Sequence, residues 1–258
     1  MSIKSREWII SFLLLLVACE NLERNNPLDP KNPSSERRRV VFVEAFTNDA
    51  APFSNFALQA LDSLAALFPQ QQVVIVEHHL PSTKFMDTEA LPESDIRYRL
   101  LTTADPAVPA TVPDIFFNGT KSRVLGASTT GTAMFRYRNA ILTEIDKVAH
   151  FTIEAQKTIS TNRIDIEVTI ARLGKDDFSQ FAVTAIIAED LGVAEHHHVV
   201  RKILLPENFS GIAAGERKSV DFTTSLPGAV NIRRIQVVVM IEQTTDIGRE
   251  ILQTTLAE

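Results

Sequence analysis

The sequence predicts an α/β unit followed by an all-β unit, and three observations carry that prediction. Up to about residue 150, short β-rich runs alternate with segments of helical spacing, in the order β-α-β-α-β-β-α. From Phe151 the period drops to two. Ile164, Ile166, Val168 and Ile170 alternate with Asp165, Glu167, Thr169 and Ala171, the pattern of a half-buried strand. Glycine and proline then punctuate the chain at short intervals, at Gly174, Gly192, Pro206, Gly211, Gly215 and Gly248.

Each element has its own signal. Residues 40–46 (VVFVEAF) form a β-rich run, and residues 47–52 a loop. Helical spacing over 53–68 places Phe56, Ala60, Leu61, Leu64 and Phe68 on one face. Residues 73–77 are continuously apolar before Glu77, as in a strand buried on both faces. A polar stretch, 80–92, leads to a helix over 93–101. Residues 111–118 read as a strand that turns at Asn118-Gly119. A helix over 132–149 aligns Met134, Tyr137, Ile141, Ile145 and Val148. Beyond it, strands are expected at 151–160, 164–171, 181–188, 199–204, 219–223, 235–242 and 251–256. Such a set over residues 151–258 suggests an antiparallel sandwich of immunoglobulin or fibronectin type, without the cysteine pair of a true immunoglobulin domain.

Composition removes several chemistries. The 258 residues are 45% hydrophobic and 22% charged, values of a folded chain. A net charge of −6 argues against a nucleic-acid partner. A single cysteine excludes a disulfide framework, a zinc-finger cluster and an internal dithiol. That cysteine follows Lys4, Arg6 and an apolar run over residues 8–18, too short to span a bilayer as a helix. Leu16-Val17-Ala18-Cys19 resembles the lipobox of bacterial lipoproteins. The resemblance implies cleavage before Cys19, which then carries diacylglycerol and an N-acyl chain, a stable membrane anchor. No other cofactor is expected. Residues 1–18 are then the signal peptide and 19–39 a tether, with Pro27, Pro30 and Pro33 opposing a helix and Arg37, Arg38 and Arg39 in solvent. Glu20, where aspartate commonly retains lipoproteins in the inner membrane, favours the outer membrane of a bacterial envelope by the same resemblance.

Residues 40–150 resemble thioredoxin. Val43-Glu44-Ala45-Phe46-Thr47 and then Ala51-Pro52-Phe53-Ser54 match its strand, Phe-Thr, loop and helix, and Val112-Pro113 matches its cis-proline loop. Lipobox, tether, thioredoxin-like unit and β-rich tail together look like the Omp28-related outer membrane lipoproteins, over nearly the whole mature chain. Ala51 and Ser54 replace both cysteines of the family's Cys-x-x-Cys, and neither can attack a disulfide. The expectation is therefore a non-enzymatic, redox-inactive module. Its groove, formed by Ala51, Pro52, Phe53, Ser54, Val112 and Pro113, would bind an envelope protein or peptide by strand addition, or it is an inert vestige with binding moved to the sandwich. The competing reading is an accessory to thiol–disulfide exchange or another envelope enzyme.

Two further groups have chemistry to weigh. Ser54, with His78 or His79 and Asp49, contains the residue types of a nucleophilic triad, but no Gly-x-Ser-x-Gly elbow accompanies them. The plainer expectation is that Ser54 fills space and both histidines face solvent. In the Glu195-His196-His197-His198 run, a strand would put His196 and His198 on one face, a weak zinc pair.

Overall fold

The computed structural model of the chain describes residues 38–103, 106–226, 230–246 and 248–258. The expectations for the signal peptide, for Cys19 and for the tether up to residue 37 lie outside the described residues. No helix among the described residues is long and apolar enough to cross a membrane.

The first unit contains β1 (Val41–Thr47), α1 (Ser54–Leu67), β2 (Val73–His79), α2 (Pro92–Thr102), β3 (Asp114–Phe117), β4 (Ser122–Leu125) and α3 (Thr130–Glu144). β1 and β2 are buried along their whole length and pair in parallel, Val41↔Val73 through Thr47↔His79. β3 pairs antiparallel with β1, and β4 with β3. Alternation along β1 divides the work between two faces. Val41, Val43 and Ala45 pack with Leu61 and Leu64 of α1 and with Tyr137 and Ile141 of α3. On the other face Phe46 packs with Tyr98 and Leu101 of α2 and with Phe116 of β3.

α3 starts where Thr129 Oγ1 accepts the backbone N–H of Thr132 at 3.2 Å. It ends at Glu144 rather than running to 149, because the next segment is recruited elsewhere. Val148 bridges to Arg38, and Arg39 donates its backbone N–H to Lys147 O at 2.9 Å. Arg39 itself is buried, with Nη2 2.7 Å from Glu144 Oε2 and Nη1 2.9 Å from Glu250 Oε1. It belongs to the fold and not to a solvated tether. Arg38 alone of the described pair is exposed, paired with Asp146.

The second unit contains β5 (Phe151–Ile159), β6 (Arg163–Arg172), β7 (Phe178–Glu189), β8 (Val199–Ile203), β9 (Glu207–Ile212), β10 (Arg217–Ser225), β11 (Ile235–Thr245) and β12 (Gly248–Leu256). β10, β6 and β5 form a three-stranded antiparallel sheet. Its inner face, Phe151, Ile164, Ile166, Val168, Ile170 and Phe222, packs on Val183, Ala185, Ile187, Val237, Val239 and Ile241 of the facing sheet. β9 is the strand that sequence patterning does not reveal. It pairs with the first half of β7, Phe178↔Ile212 to Val183↔Glu207, while β8 takes the second half. Phe209 stacks on Phe181 with ring centroids 5.0 Å apart, giving this polar strand its hold.

The two units share one sheet. β8 lies parallel to β2 at Glu77↔Val199, so the strand order β12-β11-β7-β8-β2-β1-β3-β4 is continuous, with β9 also on β7. The sheet curls until its ends meet, enclosing a third core of Phe42, Val74, Val76, Ile186, Val200, Val238, Met240 and Ile251. At the meeting point Gly119 bridges Glu250, and Thr120 N–H donates to Arg249 O at 2.7 Å. A Cβ on Gly119, whose φ is +77°, would stand 2.3 Å from that carbonyl oxygen.

Candidate functional site

The C-terminal ends of the parallel strands β1 and β2 point at the β7–β8 connection, and three segments meet there. The 48–53 loop is fixed from below. Asn48 donates its backbone N–H to Ser54 Oγ at 3.3 Å, and its side-chain amide donates to Leu80 O and Phe85 O at 2.9 and 3.0 Å. Asp87 Oδ2 then accepts the Asp49 N–H at 2.8 Å and lies 2.9 Å from His79 Nδ1. An ionised carboxylate only accepts, so Nδ1 of His79 carries the proton. From the opposite side Glu195, at φ +72°, donates its backbone N–H to Asp62 Oδ2 of α1 at 2.8 Å. That contact turns the chain so that His196 faces the end of β2.

The result is a cluster of Asp49, His79 and His196, each offering a ligand atom within 4.8 Å of the others. His79 Nδ1 lies 3.5 Å from Asp49 Oδ1, and His196 Nε2 lies 3.6 Å from Asp49 Oδ2. His196 Nδ1 is 3.4 Å from Glu77 Oε2, while Glu77 Oε1 accepts the His198 N–H at 3.2 Å. Electrostatics follow this crowding. Burial raises the Asp49 carboxyl above its usual value, against the pull of His79 and His196. Burial would raise Asp87 too, but the bond to His79 and the backbone N–H groups of Asp49 and Glu89 hold it low. The Glu77 carboxylate holds His196 above the ordinary imidazole value.

The other sequence candidates fall out differently. His196 sits in a turn and not in a strand, so it shares no strand face with His198. His198 Nδ1 lies 3.1 Å from Gln236 Oε1, and His197 Nδ1 lies 3.1 Å from Asp190 Oδ1. His78 and His79 are buried, not solvent-facing. His78 stacks on Phe46 at 4.5 Å, with Nδ1 3.1 Å from Ser94 Oγ and Nε2 3.5 Å from Glu44. Burial holds its pKa below the ordinary value, against the pull of Glu44. Ser94, His78 and Glu44 are fully buried, so this triad-like set presents nothing to a substrate. Ser54 is also fully buried, and among the described residues no hydrogen bond joins it to either histidine. Ala51 is buried, and Pro52 and Phe53 are exposed, Phe53 by 56% with φ +73°. The Val112–Pro113 bond is cis, with Val112 half-buried and Pro113 buried. Pro113 lies one residue before the Phe46↔Asp114 pair, which places it across the ladder from Thr47 and the loop that follows.

No family model matches the chain, and no curated protein does. Solved structures do resemble it. HBP35 of Porphyromonas gingivalis aligns at a TM-score of 0.67 and 12% identity, over 85% of this chain and 74% of that one. The protein AGR_C_4864 from Agrobacterium tumefaciens aligns at 0.57 and 16%, over 86% and 95%. At these identities the likeness shows the fold alone. A domain of the outer membrane lipoprotein Omp28 from Porphyromonas gingivalis aligns at only 0.34 and 17%, over 43% of this chain and 89% of the domain, and carries no argument.

Sequence reasoning saw His196 and missed Asp49 and His79 as its neighbours. The available signal was small: a His-His pair closing a buried strand, beside a loop that follows the preceding strand.

Proposed function

We propose that the protein is an acylated lipoprotein of the bacterial cell envelope, held at the outer membrane through Cys19. Its thioredoxin-like first unit has no thiol chemistry and serves, with a sandwich-like second unit, as a non-enzymatic surface for a protein or peptide partner. Strand order β2-β1-β3-β4, with Pro113 directly before β3, supports the thioredoxin-like reading. The observation that carries the redox-inactive reading is the tetrapeptide Ala51-Pro52-Phe53-Ser54 ahead of α1, in a chain whose sole cysteine is Cys19. Once Cys19 is a thioether, no thiolate remains to attack a disulfide. Exposed Pro52 and Phe53 and the half-buried Val112 would form the surface on which an extended segment docks.

The test combines anchoring and chemistry. Radiolabelled palmitate should enter the wild-type protein and not Cys19→Ala, which should leave the membrane fraction. The lipidated protein should reduce insulin disulfides no faster than buffer, whereas the Ala51→Cys/Ser54→Cys double variant should gain measurable activity. Equal labelling of Cys19→Ala removes the anchor, and reductase activity in the wild type removes the redox-inactive reading.

A further inference from the structure

We propose that Asp49, His79 and His196 bind a divalent cation of the zinc class at the junction of the two units. Two imidazoles and one carboxylate are a donor set that zinc takes readily, leaving a fourth position for water or for a group on a bound partner. What distinguishes the cluster from an ordinary ion-pair network is how each imidazole is held. His79 presents Nδ1 to Asp87 at 2.9 Å and to Asp49 at 3.5 Å, and its other nitrogen, Nε2, has no hydrogen-bond partner on a residue only 1% exposed. His196 presents Nδ1 to Glu77 at 3.4 Å, and its Nε2 is the atom near Asp49. Metal-ligating histidines are oriented by a carboxylate near one ring nitrogen while the other meets the ion; His196 has that arrangement, with Nδ1 toward Glu77 and Nε2 toward Asp49, and His79 has Nδ1 on Asp87 with Nε2 unpartnered. Burying a polar nitrogen without a partner costs free energy, and a cation at that atom removes the cost.

Charge points in the same direction. Three carboxylates, Asp49, Asp87 and Glu77, surround two imidazoles, so the cleft is negative whenever the rings are neutral. Distances fit with little movement. Zinc–nitrogen bonds of about 2.0–2.1 Å keep donors within roughly 4 Å of one another, against the 4.8 Å limit within which these lie. His79 ends a buried strand and is fixed, whereas Asp49 is 39% and His196 18% exposed, in a loop and a turn that close by small shifts. The ion would join the 48–53 loop and β2 to the turn before β8.

Calorimetric titration of the lipidated protein, in detergent, stripped with chelator and carrying no histidine tag, tests this with zinc chloride as the probe. One zinc per chain should bind with a dissociation constant in the micromolar range or below. Asp49→Asn and His196→Ala should each weaken binding by at least about tenfold. His197→Ala and His198→Ala, in the same histidine run, should change it by less than about twofold. Cobalt in place of zinc should give visible absorption bands that the first two variants lose. Absence of stoichiometric binding, full binding by Asp49→Asn and His196→Ala, or loss on His198→Ala overturns the site. Each outcome is independent of the palmitate and insulin assays, which bear on the anchor and the missing thiols.

Discussion

Two charged clusters lie along the junction of the first unit with the second, and they are built on opposite principles. Around Arg97 every charge is matched, since Arg249 Nη1 also lies 3.2 Å from Glu242 Oε1. Nε and Nη2 donate to Glu44 at 2.7 and 3.0 Å, Nη1 donates to Glu242 at 2.6 Å, and Glu242 Oε1 also accepts from Thr184 at 3.1 Å. Arg97 is 5% exposed, and the two carboxylates come from β1 and β11, one in each unit. Around Asp49 the pairing is incomplete, with His79 Nε2, His196 Nδ1 and Glu77 Oε2 all lacking hydrogen-bond partners. Complete pairing fixes the geometry of two units, and incomplete pairing leaves capacity for something else. Burial alone does not separate the two roles. The balance of donors and acceptors does.

The sharpest way to break this comparison is to remove the cation from the matched cluster. Arg97→Met fills similar volume but strands Glu44 in the interior, leaving Glu242 to Arg249 and Thr184, and breaking a buried pair in this way costs about 3–5 kcal/mol. Chemical denaturation should show that loss. Adding Glu44→Gln to it should recover part of the stability, since the worst stranded charge is then gone. A cost below about 1 kcal/mol for Arg97→Met would mean that the cluster does not hold the units together.

Acid reads the same cluster through Glu44. Burial alone would raise its pKa, but Arg97 and His78 outweigh burial and hold it at about 2, down from 4.5. A carboxylate with a depressed folded pKa stabilises above its unfolded value and loses that contribution as pH falls. The window therefore runs from about pH 4.5 down to about 2. A depression of this size corresponds to about 3 kcal/mol. Stability measured at pH 6 and pH 3 should fall less in Glu44→Gln than in the wild type. An identical fall in both would show that Glu44 is not held as an ion by Arg97.

Much of the fold was legible because period reports burial. The apolar runs that open β1 and β2 and the strict alternation of β6 left little choice, and Asn118-Gly119 marked its turn. β9 escaped because Glu207, Asn208, Ser210 and Gly211 are not strand formers, and its place is set by the free half of β7 and the stacking of Phe209 on Phe181. Arg39 looked solvated within a run of three arginines, since its partners Glu144 and Glu250 are remote in sequence. The site had the same difficulty in stronger form. Asp49, His79 and His196 are brought together by the β2–β8 pairing, and no local pattern encodes a pairing across 120 residues. Alternation along the histidine run also misled, because Glu195 at φ +72° breaks the strand geometry that would align His196 with His198.

The smallest expected effect sharpens the comparison most. If the Asp49 cluster is built for binding and not for holding the units together, its members should contribute little stability in the metal-free protein. Asp49 is 39% exposed, so solvent screens its interactions, and pairs of that kind contribute about 0–1 kcal/mol. It also lies near two other carboxylates, Asp87 and Glu77, whose repulsion opposes its ionisation. Asp49→Asn removes attraction to two imidazoles and repulsion from two carboxylates together, so the second offsets part of the first. Denaturation of the chelator-stripped variant should therefore match the wild type to within about 0.5 kcal/mol. With zinc present the two should diverge, because an ion that binds only the folded chain stabilises the wild type in proportion to the logarithm of its concentration. A large loss in Asp49→Asn without metal would place this cluster in the same class as Arg97, a structural joint with imperfect pairing.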